Sequence, residues 1–434
     1  MAEALEPAAQ RARMIVTRLG SAGEGLARPL CDAAPSSDAR GESTANAADV
    51  YAPYTLPDEI ITAHIEDGRA TGIRIERASD ARVRAPCPHF GRCGGCALQH
   101  AAAPLYEAFK RDRLAQAFAA RGLAIDVEGP VRFAHAARRR ATFTARRTKK
   151  GVMLGFHEAR AETLVDLRTC KVLRPELEAQ LPVLRKLIHP LLTRKGTARL
   201  AVTLARNGLD VAITGVARLN DPNLRQSLID VAQRGQLVRL TIDDDIVLQQ
   251  ATPYVAFAGV DVEIPPGAFL QASEEADAAL LALISEAVGP AREVIDLFCG
   301  LGTFALGLAR SARVRAYDGD RAAVSALQQA HRQGRRLKPI EAVTRDLYAD
   351  PLNVKELDAA EVVIFDPPRA GAKAQAQVLA QSKVPVVVAV SCNPATLARD
   401  ARTLIDGGYR LTRLTAVDQF AWSAHVEAVA VFKR

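Results

Sequence analysis

Residues 292–304, REVIDLFCGLGTF, carry the fold of this chain. The apolar run through Val294, Ile295, Leu297 and Phe298 reads as a buried strand, which ends in Cys299-Gly300-Leu301-Gly302-Thr303 before a helix. Glycines at such a turn let the backbone approach a ligand closely, and a helix N-terminus favours an anionic group. The D-x-F-x-G-x-G pattern departs from the dinucleotide fingerprint, because Ala305 stands at its third glycine. Outward from this turn, RVRAYD (313–318), AEVVIFD (360–366) and VPVVVAVS (384–391) are further buried-strand runs separated by helical segments. That alternation predicts an α/β, doubly wound, Rossmann-like parallel sheet. An Ala- and Leu-rich helix from Ser273 to Val288 precedes it, and RLTRLTAVDQF with HVEAVAVFK closes its edge as two antiparallel strands.

Ligands of such sheets bind at the carboxyl ends of the strands, near the point where strand order reverses. Three acids fall there. Asp318 ends the second strand and is placed to accept from ribose hydroxyls; Asp346 follows a third strand and can reach an adenine amino group; Asp366 ends the fourth, in Asp366-Pro367-Pro368-Arg369. SCNPATLARD sets Cys392 at the next strand-to-helix turn, where Asn393-Pro394 makes a rigid start and amides are expected to stabilise a thiolate. Glu427 is a charged residue inside an apolar strand, which fits a general base. Cys299 is the rival thiol, read as packing beneath the glycine loop.

At 434 residues the chain is too long for one ordinary core. With 49% hydrophobic and 24% charged residues it is of soluble globular composition, and no apolar run approaches the ~20 residues of a membrane helix. MAEALEPAAQRARM has no signal-peptide core, so a cytoplasmic protein is expected. The net charge of +8 suits a polyanionic partner. Residues 131–150, VRFAHAARRRATFTARRTKK, hold eight Lys or Arg and no acid, with Phe133 and Phe143 interleaved as in a strand whose basic side chains meet phosphates.

The seven cysteines include Cys87-x5-Cys93-x2-Cys96 and a distant Cys170, and by spacing alone both zinc and an iron–sulfur cluster are open. Three domains are expected: a small OB-like β-barrel over 1–82 with a polar insertion at 31–49, a mainly β central RNA-binding domain over 83–262, and the catalytic domain over 263–434. A helix from Pro104 to the stop at Gly122 is expected to pack on the catalytic domain.

DLFCGLGTF, DPPRAG, SCNPATLARD and HVEAVAVF together resemble the RNA uracil-C5 methyltransferase family, class I and dependent on S-adenosylmethionine. The resemblance spans about residues 265–434 and implies Cys392 as nucleophile and Glu427 as base. It also implies Gln271, in GAFLQAS, with Phe298, Thr303, Asp318, Asp346 and Asp366, as the S-adenosylmethionine site. The chemistry explains the thiol. Carbon 5 of uracil is too weak a nucleophile until a thiolate adds at C6, after which a base must remove the C5 proton.

CPHFGRCGGCALQH and LVDLRTC resemble the segments that hold a [4Fe-4S] cluster in the 23S rRNA enzymes, implying Cys87, Cys93, Cys96 and Cys170 as ligands in a structural role. Residues 11–80, with Leu56-Pro57-Asp58-Glu59, resemble the TRAM domain, an RNA-binding barrel. FAHAARRRATF resembles the relatives' basic strand and makes Arg139 and Arg140 candidate RNA contacts. The expected partner is 23S rRNA and the expected state a monomer. The alternatives are a tRNA uracil-C5 enzyme, an N-methyltransferase, which leaves SCNP and Glu427 unexplained, and a non-catalytic RNA-binding iron–sulfur protein with a degenerate methyltransferase fold.

Overall fold

A computed structural model describes residues 11–30, 48–216, 219–243 and 245–434, which form two compact units. Most of the polar insertion, residues 31–47, lies outside the described residues.

The first unit is built on a closed barrel of five strands, Ala12–Leu19, Gly25–Pro29, Val50–Ala52, Ile60–Glu66 and Arg69–Arg77. Alternate residues Met14 and Val16, Ile61 and Ala63 turn inward with Ala27, Ala52 and Ala70 to fill it, the period-2 pattern of a half-buried strand. The Asp67-Gly68 hairpin forms as its sequence demands, with both φ angles positive (48° and 71°). Asp58 has φ of 69°, a left-handed conformation that favours glycine. Glu59 beside it is fully buried, pairs with the Arg82 guanidinium at 2.5 Å and accepts from the Leu56 amide at 2.9 Å.

The second unit holds two large sheets. The seven-stranded one runs, in spatial order, Asp245–Gln249, Leu237–Ile242, Gly208–Thr214, Thr197–Ala205, Arg140–Thr148, Gly151–His157 and Leu164–Asp166. Helices Leu181–Ile188 and Pro222–Arg234 cover its core face with Leu184, Leu187, Leu228 and Ala232. The eight-stranded sheet runs Ile340–Thr344, Arg313–Asp318, Glu293–Leu297, Val362–Phe365, Val386–Ser391, Glu427–Lys433, Arg410–Asp418 and Glu128–Arg132. The first five are parallel and Glu427–Lys433 is antiparallel to both of its neighbours. Chain order therefore reverses between Glu293–Leu297 and Val362–Phe365, which opens a crevice at their carboxyl ends.

Ser273 caps the helix Glu274–Val288, its hydroxyl accepting from the Ala276 amide at 3.1 Å. The helix Ala103–Ala119 inserts Leu114 and Phe118 into the core that contains Ile295, Val363 and Phe432. Glu128–Arg132 joins the edge of that sheet, although its sequence lies before the central one. No helix among the described residues is long and apolar enough to cross a membrane.

Candidate active site

The glycine turn after Leu297 is built from backbone that side chains resist. Phe298, Gly300 and Gly302 have φ of 61°, 51° and 87°. A Cβ on Gly302 would lie 2.3 Å from Leu327, whereas one on Gly300 would meet nothing within 4 Å. Gly302 is thus required for packing and Gly300 borders open space. The helix that follows is a single turn, Ala305–Leu308, so the expected anion-binding helix N-terminus does not form. The Asp318 carboxylate shapes the turn instead, accepting from the Gly300 amide at 2.8 Å and from the Asp320 amide at 2.8 Å. Asp346 accepts from the Tyr348 and Ala349 amides at 2.9 and 3.2 Å, and the Tyr348 ring lies 5.5 Å from that of Phe298. Thr303 is half-buried at the end of the same turn. Asp296, a residue the sequence reading left out of the site, lies fully buried beneath. Burial, then the charges of Asp366 and Asp318, push its pKa well above the carboxylate range against the Ala305 amide.

The thiol and the base come together through strand register. Ser391 pairs with Ala428, so one residue further on Cys392 and Glu427 stand side by side at the sheet's edge. Asn393 caps the helix Pro394–Asp406, accepting from the Ala395 amide at 3.1 Å, and its side-chain amide donates to the Arg369 carbonyl at 2.9 Å. The DPPR loop and the thiol turn are thereby joined.

A hydrogen-bonded chain links the acids. Gln271 Nε2 donates to Asp366 Oδ2 at 2.8 Å, Gln419 Nε2 donates to Gln271 Oε1 at 2.9 Å, and the same Gln419 amide donates to Glu427 Oε2. Gln419 Oε1 accepts from the Ala272 amide at 3.1 Å, which holds the whole group in place. Gln419 was missed from sequence; its only signal was a polar residue directly after the end of the strand Arg410–Asp418.

Electrostatics oppose the expected thiolate. Burial, then the charges of Glu427 and Asp366, push the Cys392 thiol up to about 11, and only Arg369 among the charged groups pulls it down. Few helix-start amides can offset two carboxylates in a low-dielectric site. Burial and the neighbouring Asp366 hold Glu427 well above the ordinary range, with Gln419 opposing. Burial raises Asp366 to about 7 against the Gln271 hydrogen bond. Glu427 is 2% exposed, and a carboxylate so placed is a stronger base than one in water. Cys299 is buried at the glycine turn, where burial and then Asp296 push its thiol well above the usual value.

Arg139 is not an exposed RNA contact. It is 1% exposed and its guanidinium pairs with Asp277 at 2.7 Å. Arg140 donates to the Leu270 carbonyl at 2.7 Å and lies 4.8 Å over the exposed Phe269 ring. The Arg139 amide donates to the Ala272 carbonyl at 2.9 Å, so both arginines hold the segment that carries Gln271. The two arginines follow the 3-10 turn His135–Ala137 and stand at the start of the strand Arg140–Thr148.

Of the four candidate cluster thiols, Cys87 and Cys96 lie in the first unit and Cys93 and Cys170 in the second. The Cys87 amide donates to Gln99 Oε1 at 3.1 Å, Cys93 bridges to Glu158, and Cys170 packs against the core that includes Cys93. Among the described residues no group of three or more His, Cys, Asp or Glu is placed to hold a metal ion. The iron–sulfur reading finds no support there.

A sequence model of the family described as tRNA (Uracil-5-)-methyltransferase matches residues 192–434. The chain is 44% identical over 398 residues to an RNA methyltransferase of Brucella suis described as uncharacterized, spanning 91% of this chain and 96% of that one. It is 30% identical over 404 residues to the 23S rRNA (uracil(1939)-C(5))-methyltransferase RlmD of Shewanella halifaxensis, spanning 88% and 90%. Among solved structures, the tRNA (uracil-54, C5)-methyltransferase of Pyrococcus abyssi, in complex with S-adenosyl-L-homocysteine, shares the fold. Its TM-score is 0.72 at 22% identity, covering 97% of this chain and 99% of that one.

Proposed function

The chain belongs to the tRNA (uracil-5-)-methyltransferase family, and from that membership we propose that it forms 5-methyluridine in 23S rRNA through a covalent adduct of Cys392. The observation that carries this reading is the register that sets Cys392 beside Glu427, with Glu427 tied through Gln419 and Gln271 to Asp366. S-adenosylmethionine, when bound, would supply the methyl group. Gln271, Phe298, Thr303, Asp318, Asp346 and Asp366 are the residues assigned to hold it.

Cys392 Sγ bonds to C6 of the uracil as its proton departs, and C5 becomes the carbon nucleophile that takes the methyl group. Glu427 then accepts the C5 proton and the thiolate leaves C6, restoring the ring. The two events need separate proton acceptors if Glu427 is to remain available for the second. Asp366, raised by burial to about 7, belongs to the same hydrogen-bonded chain through Gln271. Water-poor surroundings serve both, since burial strengthens the base.

The rRNA assignment draws on the RlmD relative, which matches nearly full length, whereas the resemblance to the archaeal tRNA enzyme is one of fold. The five-stranded barrel is read as a TRAM-like RNA-binding module. The [4Fe-4S] assignment to Cys87, Cys93, Cys96 and Cys170 rests on the resemblance of their segments alone. Iron and acid-labile sulfide assays on anaerobically purified protein decide it, because absence of both removes the cluster.

Trapping tests the main reading. With 5-fluorouridine-substituted 23S rRNA fragments and S-adenosylmethionine, fluorine at C5 blocks the final proton removal and an adduct on Cys392 is expected. An adduct formed with tRNA and not with 23S fragments overturns the substrate and keeps the chemistry. No adduct with either removes the mechanism.

A further inference from the structure

We propose that Lys110 is a positioning residue for the last step of the reaction, clamping the loop that carries Gln419 and Glu427; this rests on the reading of Glu427 as the base. Lys110 lies in the middle of the helix Ala103–Ala119 and is fully buried. Its Nζ stands 2.8 Å from Asp418 Oδ1, donates to the Phe420 carbonyl at 3.2 Å and donates to the His425 carbonyl. An ammonium has three N–H donors, and these are three acceptors around it.

The acceptors are not scattered. Asp418 is the last residue of the strand Arg410–Asp418, and Glu427 is the first of the next strand in the sheet. Phe420 and His425 lie within the connection between them, near its two ends. Lys110 therefore draws both shoulders of the loop to one point, and Gln419 lies between two of its anchors. Gln419 in turn donates to Glu427 and to Gln271, so a shift of the loop changes the partner of the base.

The His425 ring adds a second link, with Nε2 3.4 Å from Arg369 Nη2, the cation that lowers the thiol's pKa. Burial lowers the pKa of Lys110 and the Asp418 carboxylate opposes that shift. A lysine that served only to attach the helix would need one partner, whereas this one grips the loop at three positions.

The test separates a clamp from a staple by the step that fails. Glu427→Gln, Lys110→Met/Asp418→Asn and Asp418→Asn are compared with the wild type on RNA carrying ordinary uridine, with S-adenosylmethionine. The double variant removes both charges, so no carboxylate is left buried alone; Asp418→Asn keeps the lysine and an acceptor oxygen and reports should the double variant not be recovered folded. Methyl transfer in the first turnover and the denaturant-resistant protein–RNA complex are measured separately.

If Lys110 sets the base, methyl transfer persists while turnover falls by roughly tenfold or more, short of the ~10²–10⁴-fold that a lost general base costs. The methylated covalent complex then accumulates, more in the double variant than in Asp418→Asn. Loss of turnover in proportion to the folded fraction, with no accumulated complex, overturns the proposal while accumulation in Glu427→Gln keeps the reading of the base. No accumulation in any variant, Glu427→Gln included, overturns both.

Discussion

Cys392 shows how a single residue's surroundings set the terms of its chemistry. With its pKa pushed up to about 11 by burial and by Glu427 and Asp366, the resting thiol is neutral at physiological pH. Alkylation of Cys392 by iodoacetamide, followed by mass spectrometry, is expected to rise roughly tenfold per pH unit from neutrality toward its pKa. Arg369→Ala shifts that rise to higher pH, because the guanidinium is the group pulling the pKa down; a plateau reached near neutrality would contradict the account. Arg139 gives the second residue-scale prediction. Removing one partner of a buried pair leaves the other uncompensated, so Arg139→Met is expected to lower unfolding free energy by about 3–5 kcal/mol near neutral pH. Burial already raises Asp277 to about 6 with the arginine present, and its loss raises it further. A carboxyl raised in the folded state favours folding at low pH and loses that benefit as pH climbs through the folded value. The deficit in urea unfolding is therefore smaller at acidic pH than at alkaline pH.

At the scale of elements, the glycine turn and the loop between the last two strands form the candidate site. Gly302→Ala combines a left-handed φ with a Cβ driven against Leu327. It is expected to cost about 1–3 kcal/mol of stability and to weaken S-adenosylmethionine binding as measured by calorimetry. Gly300→Ala carries the strain without the clash, since open space faces that position, so its Tm falls less. The turn itself was legible in residues 292–304, because a strand that meets two glycines can do little else. The helix after it was not legible in length. Ala305, Leu306 and Leu308 are good helix formers, but Gly307 among them is a poor one, and the helix runs for a single turn.

For the molecule as a whole, the basic excess predicts RNA affinity that falls steeply with salt. In filter binding, the log–log slope for a single-stranded fragment is expected near −0.7 for each phosphate neutralised, so several contacts give a slope of several units; a flat response would deny a phosphate-based interface. Charge counts alone mislead about which residues serve it, since Arg139 is spent on Asp277. The sequence by itself determined the doubly wound sheet, the closed barrel's hairpin, the helix that begins near Ser273 and the candidate residues Cys392, Glu427 and Asp366. These are properties of neighbours along the chain, where apolar periodicity, turn chemistry and caps act within a few residues. Only the tertiary structure decided that Gln271, Gln419, Asp366 and Glu427 form one hydrogen-bonded chain and that Lys110 grips the loop from a position 308 residues before Asp418. It also decided that burial and two acids raise the pKa of the Cys392 thiol. Hydrogen bonds and electrostatic shifts depend on distance and burial in space, and sequence separation carries no information about either.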